Sequence, residues 1–111
     1  KLLDKVGIQT IPTGINHGTV TAQVNSQSFE ITTLRRDINT DGRHADVIFT
    51  DSWPADAERR DFTMNTLSLT PEGQLFDYLD GHDDIMLGKI RFVNDAKTRI
   101  KEDILRILRF L

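Results

Sequence analysis

Glu58-Arg59-Arg60-Asp61-Phe62-Thr63-Met64-Asn65 sets two guanidinium groups beside a carboxylate, with a carboxamide four residues on. Arginine presents a planar fork of donors that matches phosphate oxygens. An ionised aspartate only accepts hydrogen bonds, whereas asparagine both donates and accepts. On a helical turn Asp61 and Asn65 stand at i,i+4 and share a face. That face can grip a pair of sugar hydroxyls while an arginine holds phosphates. The plain alternative is a solvated helix start with an Arg–Asp ion pair. Near the other end, Arg99, Asp103 and Arg106 fall at i, i+4 and i+7, again a cation–acid set on one helical face.

The chain that must position these groups has 111 residues, 38% of them hydrophobic, and a net charge of −3. The length fits one modest domain. The overall charge excludes a generic nucleic-acid sponge. Its distribution is uneven: residues 37–84 are strongly acidic and residues 89–109 mainly basic, which suits a site facing a charged partner on one side. With no cysteine, disulfides and thiolate metal sites are excluded. No apolar run reaches membrane-spanning length. The chain opens on Lys1 and ends within a helical pattern, so it reads as a piece of a longer polypeptide.

Residues 2–6 read as a helix stopped by Gly7, and residues 10–14 as a loop around Pro12. Alternation predicts strands over residues 18–24 and 28–34, joined by a tight turn at Asn25-Ser26. Residues 38–46 read as a mobile loop with a turn at Asp41-Gly42, followed by a short strand at Val47, Ile48 and Phe49. Ser52 caps a helix with Pro54 in its first turn, and this helix is expected to run to Asn65. Trp53 reads as a packing anchor. Two short strands follow, over residues 66–70 and 75–79, then a helix over 83–87. Asn94 is the expected cap of a last helix with an apolar stripe at Ala96, Ile100, Ile104, Ile107, Leu108 and Leu111. The acids around Gly81 do not form a calcium loop, because Phe76 stands where the first ligand is needed.

Four segments, in order, resemble the tRNA nucleotidyltransferase (CCA-adding enzyme) and poly(A) polymerase family of the bacterial and eukaryotic class. They are Glu30-Ile31-Thr32-Thr33-Leu34-Arg35, Arg59-Arg60-Asp61-Phe62-Thr63-Met64-Asn65, Asp77-Tyr78-Leu79-Asp80-Gly81-His82-Asp83-Asp84-Ile85, and Glu102-Asp103-Ile104-Leu105-Arg106. The resemblance covers nearly the whole chain. It implies an α+β fold, an antiparallel mixed sheet of a nucleotidyltransferase head with helices, ending in the first neck helix. Residues 1–88 would be the back of the head and 89–111 the start of the neck. It implies that Glu30, set between Phe29 and Ile31, is an active-site carboxylate. It implies that Arg59, Arg60, Asp61 and Asn65 bind triphosphate and ribose.

The same resemblance makes Asp103 and Arg106 a protein template for the incoming base. The side-chain chemistry is consistent. Cytosine and adenine offer an amino donor and a ring-nitrogen acceptor, which Asp103 and Arg106 complement. Uracil and guanine would set a carbonyl oxygen against Asp103, and unpaired polar groups give strong discrimination. The alternative is a surface pair worth under about 1 kcal/mol.

The family's first motif, a glycine-rich turn with an Asp-x-Asp pair holding two metal ions, has no counterpart here. Magnesium ligands would therefore lie mainly outside this segment, and the segment alone is not expected to add nucleotides. The implied substrates are CTP and ATP and the implied partner is the tRNA 3′ end. The implied location is cytoplasmic, or mitochondrial in a eukaryote, with no membrane. A poly(A) polymerase fragment and a non-catalytic nucleotide-binding module are the other readings.

Overall fold

The computed structural model describes residues 2–40 and 45–111. The chain divides into two compact units, Lys1–Leu34 and Arg35–Leu111.

In the first unit a one-turn helix α1 (Leu2–Lys5) ends at Gly7, whose φ is +75°. Strands β1 (Gln9–Gly14), β2 (Thr19–Val24) and β3 (Gln27–Thr32) form an antiparallel sheet in that order. The expected loop at residues 10–14 is thus corrected to a strand. It tolerates Pro12 because β1 is an edge strand and its pairing shifts between Ile11 and Gly14, so that no ladder bond is required of the proline. The predicted hairpin is present. Asn25 and Ser26 take φ of 50° and 64°, the left-handed pair that a two-residue turn requires. Glu30 is exposed on β3 opposite Thr21. Its face is rich in threonine, with the hydroxyls of Thr19 and Thr32 2.9 Å apart.

The second unit opens with an antiparallel pair, β4 (Arg35–Thr40) and β5 (Ala45–Phe49). Residues 38–40 and 45–46, expected in a loop, belong to these strands. Asp37 and Asn39 hide the strand in the sequence, since both residue types are poor strand formers. The pairing shifts between them. The expected Asp41-Gly42 turn lies outside the described residues. Helix α2 (Trp53–Glu58) starts as predicted, with Ser52 Oγ accepting from the Ala55 N–H at 3.2 Å. Trp53 is no packing anchor: it is 53% exposed and borders an apolar cavity of about 280 Å³ with Leu69, Pro71, Phe76 and Tyr78.

Helix α2 does not reach Asn65. It ends at Glu58, and a 3-10 turn (Thr63–Asn65) follows an extended Phe62. Pairing with a later segment breaks the helix. Phe62 bridges Phe92, the Val93 N–H donates to Asp61 O at 2.8 Å, and the Thr63 N–H donates to Arg91 O at 3.0 Å. The rings of Phe62, Phe92 and Phe110 pack with centroids 4.8 to 6.2 Å apart, offset geometries that add to area burial. Strands β6 (Ser68–Leu69) and β7 (Leu75–Phe76) are shorter than expected.

Helix α3 (Gly81–Met86) begins two residues before its predicted start. Asp77 fixes that start, accepting from the N–H groups of Leu79, Gly81 and His82. Asp84 on α3 is buried and accepts from Thr63 Oγ1 and, at 2.8 Å, from Arg91 Nε. Asp95, not Asn94, caps α4 (Ala96–Glu102), accepting from the Thr98 N–H at 2.8 Å. Asn94 takes a left-handed turn just before it. The predicted single last helix is broken at Asp103 and resumes as α5 (Leu105–Phe110). The expected apolar stripe does not survive the break, and Ile104, Leu108 and Leu111 are exposed.

Candidate nucleotide site

Asp56, in the last turns of α2, organises the arginines. Its carboxylate is buried, and it accepts from the Arg35 N–H at 3.1 Å, Arg59 Nε at 3.1 Å and Arg60 NH2 at 2.9 Å. Burial opposes its ionisation. The Arg35 N–H and the two guanidinium groups outweigh that, and the carboxyl stays below its ordinary range. Arg60 is fixed at its other end by Asn65 O, 3.0 Å from NH1. Sequence reasoning passed over Asp56, although its i,i+3 and i,i+4 spacing to Arg59 and Arg60 was the signal.

Asp61 and Asn65 meet as predicted, though not on one helix. The extended Phe62 and the 3-10 turn bring Asn65 Nδ2 within 2.9 Å of Asp61 Oδ1, which also accepts from the Phe62 N–H at 2.9 Å. Burial raises the Asp61 carboxyl, but these two bonds and the charge of Arg109 hold it below the usual carboxylate value. Oδ2 receives Arg109 NH1 at 3.2 Å.

Arg99 fastens α4 to α2. It donates to Val93 O at 3.0 Å and Glu58 O at 2.7 Å, and pairs with Glu102 at 2.8 Å. Glu102 also receives Arg106 NH1 at 2.7 Å, and the same nitrogen reaches Arg99 O at 2.9 Å. Arg106 is accordingly buried and held in place. The expected shared face of Arg99, Asp103 and Arg106 is corrected here. The break at Asp103 leaves the two arginines on Glu102 and turns Asp103 toward Arg109, whose NH2 lies 2.6 Å from Asp103 Oδ2. The Leu105 N–H closes on Asp103 Oδ1 at 3.0 Å.

A cavity of about 380 Å³ is lined by Arg59, Arg60, Asp61, Asn65, Arg106 and Arg109, within the size range of small-molecule sites. It gathers five of the seven residues singled out from the sequence. Asp103 joins it through Arg109. Glu30 lies in the first unit. Arg109 was not singled out, because its six-residue spacing from Asp103 is no helical contact. Chemically the cavity offers several guanidinium groups for phosphate oxygens and a carboxylate–carboxamide pair for hydroxyls.

The chain is similar to known proteins along most of its length. The family model described as the poly A polymerase head domain matches residues 1–91. The human CCA tRNA nucleotidyltransferase 1, mitochondrial, is 52% identical over 111 residues, which are 99% of this chain and 26% of that protein. The CCA-adding enzyme of Leuconostoc citreum is 44% identical over 105 residues, 93% of this chain and 26% of that protein. A crystal structure of the Bacillus stearothermophilus CCA-adding enzyme in complex with CTP aligns with a TM-score of 0.79 and 38% identity, over 91% of this chain and 24% of that one. The chain thus spans about a quarter of the length of these relatives. Both the ordered motifs and the matched fold place this chain in the family of the poly A polymerase head domain, among relatives that are CCA-adding nucleotidyltransferases.

Proposed function

We propose that this chain is the nucleotide-selecting segment of a CCA-adding tRNA nucleotidyltransferase, which extends the tRNA 3′ end with CTP and ATP. The observation that carries this reading is the 380 Å³ cavity, in which Arg59, Arg60 and Asp61 from the segment after α2, Asn65 from the 3-10 turn and Arg106 from α5 converge. Arg60, held by Asp56 and Asn65 O, addresses the triphosphate. Arg59 lends charge there and braces α2. Asp61 and Asn65 take the ribose hydroxyls. Asp103 accepts from the base amino group and Arg106 donates to the ring nitrogen. The names of the relatives favour this reading over a poly(A) polymerase.

Residues 1–88 are assigned to the head and 89–111 to the start of the neck, a division that the match over residues 1–91 supports. Glu30 is assigned as one active-site carboxylate. Among the described residues no group of three or more His, Cys, Asp or Glu could hold a metal ion. The described side chains therefore do not fit a magnesium pair. Among the described residues no helix is long and apolar enough to cross a membrane. The mitochondrial names of the human and mouse relatives favour a mitochondrial location over a cytoplasmic one.

Calorimetric titration with CTP, ATP, UTP and GTP tests the assignment. CTP and ATP are expected to bind about tenfold or more tightly than UTP and GTP, since mismatched nucleotides leave polar groups unpaired. In Asp103→Ala that gap narrows while ATP affinity changes little. Equal losses for all four nucleotides would remove Asp103 from base selection.

A further inference from the structure

Arg109 spans the two acids that the proposed site assigns to different parts of the nucleotide. NH1 donates to Asp61 Oδ2 at 3.2 Å and NH2 to Asp103 Oδ2 at 2.6 Å. Asp61 and Asp103 therefore approach to within the span of one guanidinium. Two carboxylates so close repel each other unless a cation lies between them. Asp103 has little other support. The chain leaves helical geometry there, with φ −156° and ψ 105°, and among the described residues the Leu105 N–H alone closes on Oδ1. Without Arg109, Oδ2 would be driven away from Asp61, and the acceptor meant for a base would lose its aim.

Both terminal nitrogens of Arg109 are committed to carboxylates, unlike a residue poised for phosphate. Each acceptor oxygen keeps a second lone pair, so the clip orients the acids without occupying them. We infer that Arg109 is a positioning residue for base choice, which fixes the Asp103 carboxylate by tying it to the ribose-gripping Asp61. The inference rests on the base-reading role proposed above for Asp103. It adds that sugar grip and base choice are one coupled unit.

The test uses the longest polypeptide that carries this segment, titrated with CTP and with UTP in the absence of tRNA. Arg109→Gln is expected to lower the CTP-to-UTP affinity ratio roughly tenfold, within the range of couplings between neighbouring sites. Arg109→Lys restores part of that ratio, because an ammonium keeps the charge but cannot present a planar fork to both acids. In an Asp103→Ala background, Arg109→Gln leaves the ratio unchanged within about twofold, as two members of one interaction are not additive.

A ratio unaltered in Arg109→Gln, with Asp103→Ala still abolishing it, overturns the positioning role and leaves the site reading intact. Equal weakening of CTP and UTP overturns it too, by making Arg109 a phosphate ligand. If Asp103→Ala itself leaves the ratio untouched, the site reading and this inference fall together. Thermal melts of each variant check the fold. If Arg109→Gln does not fold, Arg109→Lys carries the test, with an intermediate ratio expected and a native ratio overturning the inference.

Discussion

Asp56 holds three other residues with one carboxylate, and that concentration makes it sensitive. Removing its side chain leaves the Arg35 N–H and two guanidinium groups without their acceptor. Loss of hydrogen bonds to a buried charge costs about 1.5 to 3 kcal/mol each in favourable cases. The half-exposed Arg60 recovers water and contributes less than the better-buried Arg59. Asp56→Ala is thus expected to lose about 3 kcal/mol in urea denaturation and to bind ATP roughly tenfold more weakly as Arg60 loses its brace. Native affinity in a destabilised variant would show that Arg60 needs no second anchor. The residues proposed to touch the nucleotide could be named from the sequence because their types declare their chemistry. The residues that hold them were less legible. Asp56 was within reach of a spacing argument, but Arg109 was not, since its partners are 6 and 48 residues away and meet it only across the broken helix.

At the scale of elements, local pattern predicted where segments begin better than where they end. Ser52 and Pro54 announced α2 because a cap is a local device. Its end at Glu58 depends on Phe92, thirty residues beyond Phe62, and no window around residue 60 contains that bond. Strand β1 was hidden by Pro12 and strand β4 by Asp37 and Asn39. In each the pairing slips beside the offending residue and the ladder continues. Helix α3 supplies a sharper case. A Cβ added to Gly81 would overlap the carbonyl of Thr63, the first residue of the 3-10 turn that carries Asn65. Gly81→Ala should therefore push α3 away from that turn. A cost of about 1 to 3 kcal/mol follows from overpacking, read as a lowered Tm. Nucleotide affinity should fall with it, since Asn65 moves off Asp61. A Tm equal to that of the native chain would mean that α3 shifts freely.

For the molecule as a whole, the acidic composition acts as a stabiliser under neutral conditions. Asp56, Asp61, Asp77 and Asp84 all titrate below their ordinary value. At Asp56, Asp61 and Asp77 burial opposes this but is outweighed by donors. At Asp84 the hydrogen bond from Thr63 leads, with Arg91 adding to it. Depressed folded values mean that the unfolded chain binds protons first as pH falls. Stability is then fully present above the unfolded carboxylate value and drains away on acidification. Urea melts should be flat between about pH 6 and 8 and should weaken progressively below about pH 5. A chain equally stable at pH 4 and pH 7 would contradict this. The class of fold was legible at this scale, in the alternating strands and capped helices. The two-unit division at residues 34 and 35 was not, because it coincides with no linker composition.

Arg99 reaches from α4 to the carbonyl of Glu58, and every amino acid supplies a carbonyl. Position 58 is exposed, so its side chain can drift through evolution without loosening the clasp that keeps the end of α2 and helix α4 in register. Position 99 has no such freedom. Lineages that diversify at the former and hold the latter would be preserving a distance rather than a residue pair.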